Sequence, residues 1–293
     1  MDIDVSGGTY IVAVSGGVDS IALLDLLTKK PDLKLIVAHF DHGIRQDSTK
    51  DRRLVQRLAK DYGLTFVYDE GNLGSDASEA VAREARYKFL HRVCEVANAK
   101  SIITAHHQDD LVETAIINMI RGTGRRGLTS LSSTQKLCRP LLGLSKEALI
   151  KYAKEKNLTW REDSSNQDTK YMRNHIRHKV TPKMTTKQRQ QLLDNILKIK
   201  KTNSEIDNHI GAYLDTQTAS NKLDRDSLIM LPHNISKEVM HSWLRSHHVE
   251  NIDKKQVDKL VIIAKTSQPN RTASIDKFRS LQITEKELFI SNH

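Results

Sequence analysis

The sequence predicts an α/β protein: a mostly parallel, doubly wound sheet followed by a second, mainly helical domain. Three observations carry that expectation. The first 110 residues alternate short apolar runs of β type with helical stretches. Polar clusters follow three of those runs directly, SGGVDS after the first, FDHGIR after the second and HHQDD after the fourth. Beyond residue 186 the alternation stops and helical spacing takes over.

The strand-like runs are TYIVAV (9–14), KLIVAH (34–39), LTFVY (64–68) and SIITA (101–105), rich in β-branched and aromatic residues. Helical stretches lie between them near 19–30, 48–62 and 76–98. This rhythm predicts right-handed βαβ units, hence a parallel sheet with helices on both faces. A helix over about 109–121 follows, then a glycine-rich turn, a helix near 145–157 and a polar basic stretch to Pro182. Leu192, Leu193, Ile196, Ile199, Ile206 and Ile210 give 187–212 helical spacing, and 234–248 and 253–265 also read as helices. Toward the carboxyl end ASID, SLQIT and LFIS read as short strands. The expected domains are therefore 1–186 and 187–293.

Composition narrows the class. Apolar residues make up 38% and charged residues 28% of 293, as in soluble globular proteins. No apolar run approaches the roughly 18 residues of a membrane span, and the amino terminus shows no basic-then-apolar leader. Cys94 and Cys138 are far apart and in no CxxC, which suggests reduced thiols in the cytoplasm. The net charge of +10 is concentrated: residues 121–187 hold sixteen Lys/Arg against five Asp/Glu, and the rest is near neutral. A basic excess confined to one segment points to a polyanionic partner.

In open α/β sheets ligands bind beyond the carboxyl ends of the strands, where these polar clusters fall. In SGGVDS, Gly16 and Gly17 let the chain turn and let an anion approach free backbone N–H groups at a helix N-terminus. Ser15 and Ser20 add hydroxyls, and Val18 opens the helical pattern. Asp19 opposes phosphate unless it holds Mg²⁺ or caps the helix. The loop reads as a phosphate cradle. Three look-alikes fail: VSGG at 5–8 precedes its strand, GTGRRG at 122–127 follows a helix, and no Gly-Lys-Ser/Thr string completes a Walker A loop.

Further along, Asp110 and Glu113 stand three apart and so share a helix face, where two carboxylates can bind an ammonium ion, hold Mg²⁺ or accept protons. His106 and His107 lack the further His or Cys that a zinc site needs. RGTGRRG sets Arg121, Arg125 and Arg126 among glycines, a turn suited to phosphate or RNA backbone. EDSSNQDTKYMRNHIRHKVTP (162–182) mixes amides, arginines and one Tyr, the means by which unpaired RNA is read and stacked, with Arg173 and Arg177 four apart.

SGGVDS resembles the pyrophosphatase loop of the N-type ATP pyrophosphatases, a Rossmann-like, adenine nucleotide alpha-hydrolase-like group. HFDHGIR, EAVAREARYKFL, HHQDDLVETAIINMIRGTGRRGLTSL and EDSSNQDTKYMRNHIR narrow the resemblance, over about residues 9–182, to the tRNA(Ile)-lysidine synthetase family. The resemblance implies a cytoplasmic ligase that adenylates the wobble cytidine of a CAU anticodon with ATP and Mg²⁺, then joins L-lysine to it. It implies that Ser15–Ser20 holds the ATP phosphates with Asp19 on the metal, and that Asp110 and Glu113 bind lysine. It also implies that Arg86 contacts the activated intermediate, with Arg83 a neighbouring competitor, and that Arg177 supports catalysis. Arg125, Arg126, Asn166, Arg173, Asn174 and Arg177 fall to tRNA(Ile). Many members of the family carry a longer carboxyl-terminal part, so a full further domain is expected to be lacking here. A homodimer is left open. A tRNA thiolase with the same loop is a rival, but two isolated cysteines weigh against it. A nucleotide-sensing RNA-binding protein is a second rival, with less use for paired acids.

Overall fold

The computed structural model describes residues 1–43, 48–71, 78–161, 172–217, 222–249 and 252–292. Strands β1 (Gly8–Ala13), β2 (Leu33–Asp41), β3 (Thr65–Glu70), β4 (Ser101–Ile103) and β5 (Leu137–Cys138) form one sheet in the order β3-β2-β1-β4-β5. All four pairings are parallel, with Ala13 opposite Ala38, Val12 opposite Ile103 and Ile103 opposite Cys138. The order reverses on either side of β1, so the first strand–helix junction lies at the switch point.

Helices cover both faces. On one, α1 (Val18–Thr28), α2 (Ser48–Asp61) and α6 (Lys146–Glu155) share a core that includes Leu24, Leu27, Val55, Leu149 and Tyr152. α1 is apolar on nearly every side because it lies between the sheet and α6, so it shows almost no amphipathic stripe. On the other face α3 (Glu79–Val96) packs Phe89 and Leu90 against Ile11, Ala38 and Ile102. The look-alike VSGG ends at Gly8, the first residue of β1, away from any helix N-terminus.

Beyond the sheet lie α4 (Gln108–Ile120), the short α5 (Arg125–Leu128), α7 (Met172–His175), a π-helical turn (Ile176–Val180) and the long α8 (Thr186–Gln217). The chain divides into compact units Met1–Ile199 and Lys200–His293, later than the expected boundary near 186. The physical reason is that Leu193 and Ile196 of α8 pack with Leu111, Val112 and Ala115 of α4. The second unit holds the rest of α8, α9 (Arg225–Met230), α10 (His233–Ser246) and α11 (Lys254–Thr266). It also holds β6 (Lys222–Asp224), β7 (Arg271–Ser274), β8 (Arg279–Ile283) and β9 (Glu287–Asn292), an antiparallel sheet in the order β6-β9-β8-β7 around buried Trp243. No helix among the described residues is long and apolar enough to cross a membrane.

Candidate active site

Between the end of β1 and the start of α1, the Ser15–Ser20 bend is built from the inside. The Ser20 hydroxyl accepts the Ser15 and Gly16 N–H groups at 3.2 Å each and donates to the Gly17 carbonyl at 2.9 Å. Gly16 sits at φ +97°, where a side chain is strained. Gly17 is different: at φ −77° any residue fits, and an added Cβ meets only Ser15 Oγ, at 3.7 Å. Its missing side chain leaves room beside a helix end that no side chain caps. The first-turn N–H groups and the positive end of the dipole thus stand where an anion can approach without a side chain in the way. Two neighbours brace the bend. His39 Nδ1 bonds the Val14 carbonyl at 2.8 Å, burial holding that ring's pKa below the usual value, and the Arg161 N–H donates to the Gly16 carbonyl at 3.0 Å.

Asp19, in the first turn of α1, receives Lys146 Nζ at 2.9 Å and lies 3.6 Å from His107 Nε2. Burial alone raises its pKa, but His107 and Lys146 outweigh that and hold it below the usual carboxylate value. Its second oxygen, Oδ1, is buried without a hydrogen-bond partner. An orphaned anionic oxygen beside the bend fits a cation. Among the described residues no three His, Cys, Asp or Glu side chains form a metal cluster.

At the β4–α4 junction the chain fills its own helix end. His107 is the N-cap of α4: its ring Nδ1 lies 3.2 Å from the Asp109 backbone N, a bond that only the neutral ring accepts, and the Asp110 carboxylate accepts the His107 N–H at 3.0 Å. Asp109 reaches outward instead, accepting the Lys146 N–H at the start of α6 at 2.8 Å and bonding Arg189 of α8. Burial opposes ionisation of Asp109, but His107, that N–H and Arg189 pull its pKa down to about 2. His107 is 3% exposed. Burial disfavours its cation, yet Asp109, Asp19 and Asp110 surround the ring and push its pKa up to about 9. Its neighbour His106 bonds Thr104 Oγ1 at 2.8 Å, and burial, reinforced by Arg139, Arg173 and Arg83, drives its pKa down to about 3.

Asp110 and Glu113 are buried, 8% and 3% exposed, and two carboxylates there need counter-charge. Arg173 supplies Nη2 to Asp110 at 3.0 Å and Nε to Glu113 at 3.1 Å. Arg177 supplies Nε to Glu113 at 2.7 Å and Nη2 to Glu113 and Asp110 at 2.9 and 3.3 Å. The expectation that these arginines face RNA is therefore altered: both guanidiniums are engaged by the acid pair. His107 joins the two halves of the site, 3.6 Å from Asp19 and 3.5 Å from Asp110.

The other expected residues lie on separate elements. Arg86 is on α3, its guanidinium carbon 5.4 Å from the Tyr87 ring centre, with Arg83 on the same ring at 4.7 Å. The glycine-rich turn is ordered: Gly122 takes φ +63°, Arg125 and Arg126 open α5, and Asn118 Nδ2 bonds the Gly127 carbonyl at 2.6 Å. Asn174 lies on α7, and Asn166 lies outside the described residues. Sequence reasoning missed His107, Lys146 and Arg189. An N-cap followed three residues on by Asp was a visible signal for His107; nothing in the sequence pairs Lys146 with Asp19.

A glycine-lined, uncapped bend at the switch point of a parallel sheet defines a nucleotide-binding α/β domain. The PP-loop domain model matches residues 4–184, and the chain belongs to that family. Among curated relatives, tRNA(Ile)-lysidine synthase of Thermotoga sp. (strain RQ2) is 40% identical over 188 residues, 61% of this chain and 45% of that protein. The Thermus thermophilus protein of the same name is 40% identical over 179 residues, 59% of this chain and 35% of that one. The chain thus spans less than half the length of these relatives. A U34-tRNA thiolase from Methanococcus maripaludis, solved with its iron–sulfur cluster, superposes with a TM-score of 0.55 at 16% identity, covering 67% of this chain and 73% of its own, a likeness of fold.

Proposed function

We propose that the chain is an ATP-dependent ligase of the tRNA(Ile)-lysidine synthase type. The cytidine O2 of a CAU anticodon attacks the α-phosphorus of ATP, and pyrophosphate leaves. The ε-amine of lysine then attacks C2, and AMP departs with that oxygen. One observation carries this reading: within the segment matched at 40% identity to relatives of that name, a phosphate bend and a buried acid pair are joined through His107.

The residues take complementary parts. The Ser15–Ser20 bend holds the leaving phosphates. Asp19 Oδ1 would hold Mg²⁺, which would neutralise phosphate charge as pyrophosphate forms. Asp110 and Glu113 receive the cationic groups of lysine, whose ε-amine needs a base because its solution pKa is about 10.4. An incoming ammonium competes with Arg173 and Arg177 for the same oxygens, so lysine binding frees a guanidinium for RNA phosphate. Arg86 serves the activated intermediate, and Arg125, Arg126 and Asn174 serve the tRNA.

The test is mass spectrometry of a tRNA(Ile) transcript incubated with the chain, ATP and lysine. The reading expects a gain of one lysine less one water on the anticodon nucleotide. An unmodified transcript in an otherwise active assay contradicts it.

A further inference from the structure

Arg139 is the feature the proposed chemistry leaves unexplained. It follows β5 directly, at the carboxyl edge of the sheet, where the Thr104 N–H bonds the Cys138 carbonyl at 3.0 Å. It is only 7% exposed. Its backbone N–H donates to Ser133 Oγ at 2.9 Å, and its Nη1 donates to the Ser132 carbonyl. Its Nε is buried without a partner. Among the described residues no carboxylate lies within ion-pair reach of it, whereas Arg173 and Arg177 each meet two.

A buried guanidinium without counter-charge costs several kcal/mol, and a neutral carbonyl offsets part of that. Its surroundings add to the cost. The Arg83 charge bears on it, and Arg139, Arg173 and Arg83 all act on His106. Burial, reinforced by Arg83 and partly offset by Tyr87, draws its pKa below the ordinary arginine value. A planar fork with a buried, unpartnered Nε, in a positive neighbourhood at the ligand edge of the sheet, matches an oxyanion.

We propose that Arg139 is the centre of a phosphate-binding subsite, separate from the Ser15–Ser20 bend, that takes one phosphate group of the reacting partners. The shared chemistry is a phosphate oxyanion from either the adenylate or the RNA backbone. The subsite rests on the ligase reading for its occupant, and on the unpartnered Nε of a guanidinium without a carboxylate for its existence.

The experiment compares the full chain with R139Q in thermal protection by pyrophosphate and by AMP, and in tRNA binding across a salt series. Pyrophosphate protection is expected to stay, since the bend is untouched, and it reports that the variant is folded. If the adenylate is the source, AMP affinity falls about ten- to a hundredfold. If RNA is the source, tRNA affinity falls instead and the salt slope drops by about 0.7–0.9. Wild-type AMP and tRNA binding by a folded R139Q overturns the subsite alone. If the unsubstituted chain binds neither AMP nor tRNA, the ligase reading falls with it. Should R139Q lose pyrophosphate protection, R139K carries the test, keeping the charge and losing the fork: undiminished phosphate affinity in R139K overturns the subsite.

Discussion

Two strand-to-helix junctions stand at the same edge of one parallel sheet and have opposite chemistry. At β1–α1 no side chain caps the helix, and glycines and serines line the approach. At β4–α4 the helix is capped by a histidine–aspartate box and carries two buried carboxylates. The backbone dipole is the same at both ends. What differs is who satisfies it: no side-chain cap at the first, the protein's own acids at the second. Under the proposed function the first junction takes phosphates and the second exchanges an arginine for the ammonium of lysine, with His107 between them.

Removing charge from the second junction is the hardest blow to that contrast. Asp110→Asn keeps an oxygen for the His107 N–H and removes the anion. Product formation is expected to fall at least about 100-fold, with tRNA affinity changed less than about twofold, by single-turnover and filter-binding assays. Wild-type turnover by this variant breaks the assignment of the acid pair.

Stability against pH sharpens it next, because adjacent histidines are shifted in opposite directions. His107, raised to about 9, contributes stability that is fully present below its unfolded value of about 6.5 and is lost as pH rises through 9. His106, lowered to about 3, resists protonation when folded, so stability declines as pH falls below about 6.5 toward 3. At 1.36 kcal/mol per pKa unit the alkaline limb is on the order of 3 kcal/mol and the acid limb on the order of 5. His107→Asn, which keeps a capping side chain, is expected to flatten the alkaline limb of the melting profile and leave the acid limb. A profile unchanged at high pH contradicts the carboxylate surround of His107.

The two glycines of the bend give the smallest effects and separate shape from ligand space. Gly16→Ala forces a side chain to φ +97° and is expected to cost about 1–3 kcal/mol in urea unfolding. Gly17→Ala fits its backbone, so its cost is below about 1 kcal/mol, while ATP affinity drops. Equal destabilisation by both changes shows that the room beside Gly17 is structural.

Most of this edge was legible because its signals are local. Apolar runs marked β1 to β4, and the glycine pair with its flanking serines marked the bend. β5 and β6 were missed because runs of two and three residues carry no period. The compact unit runs on to Ile199, past the expected boundary near 186, because an amphipathic pattern shows that α8 is buried without saying against what. The acid pair was visible from its i,i+3 spacing; its partners were not, since Arg173 and Arg177 lie about sixty residues away and their basic segment reads as surface for RNA. Arg139 gave no sign of its burial, because whether an arginine is paired depends on tertiary contacts.

The most direct measurement is a crystal structure of the chain with a non-hydrolysable ATP analogue and lysine. The account predicts the triphosphate in the Ser15–Ser20 bend against the N–H groups that open α1, and the ammonium of lysine on Asp110 and Glu113, with a displaced guanidinium beside it. Phosphates seated elsewhere with the bend empty, or lysine bound away from the acid pair, would contradict it.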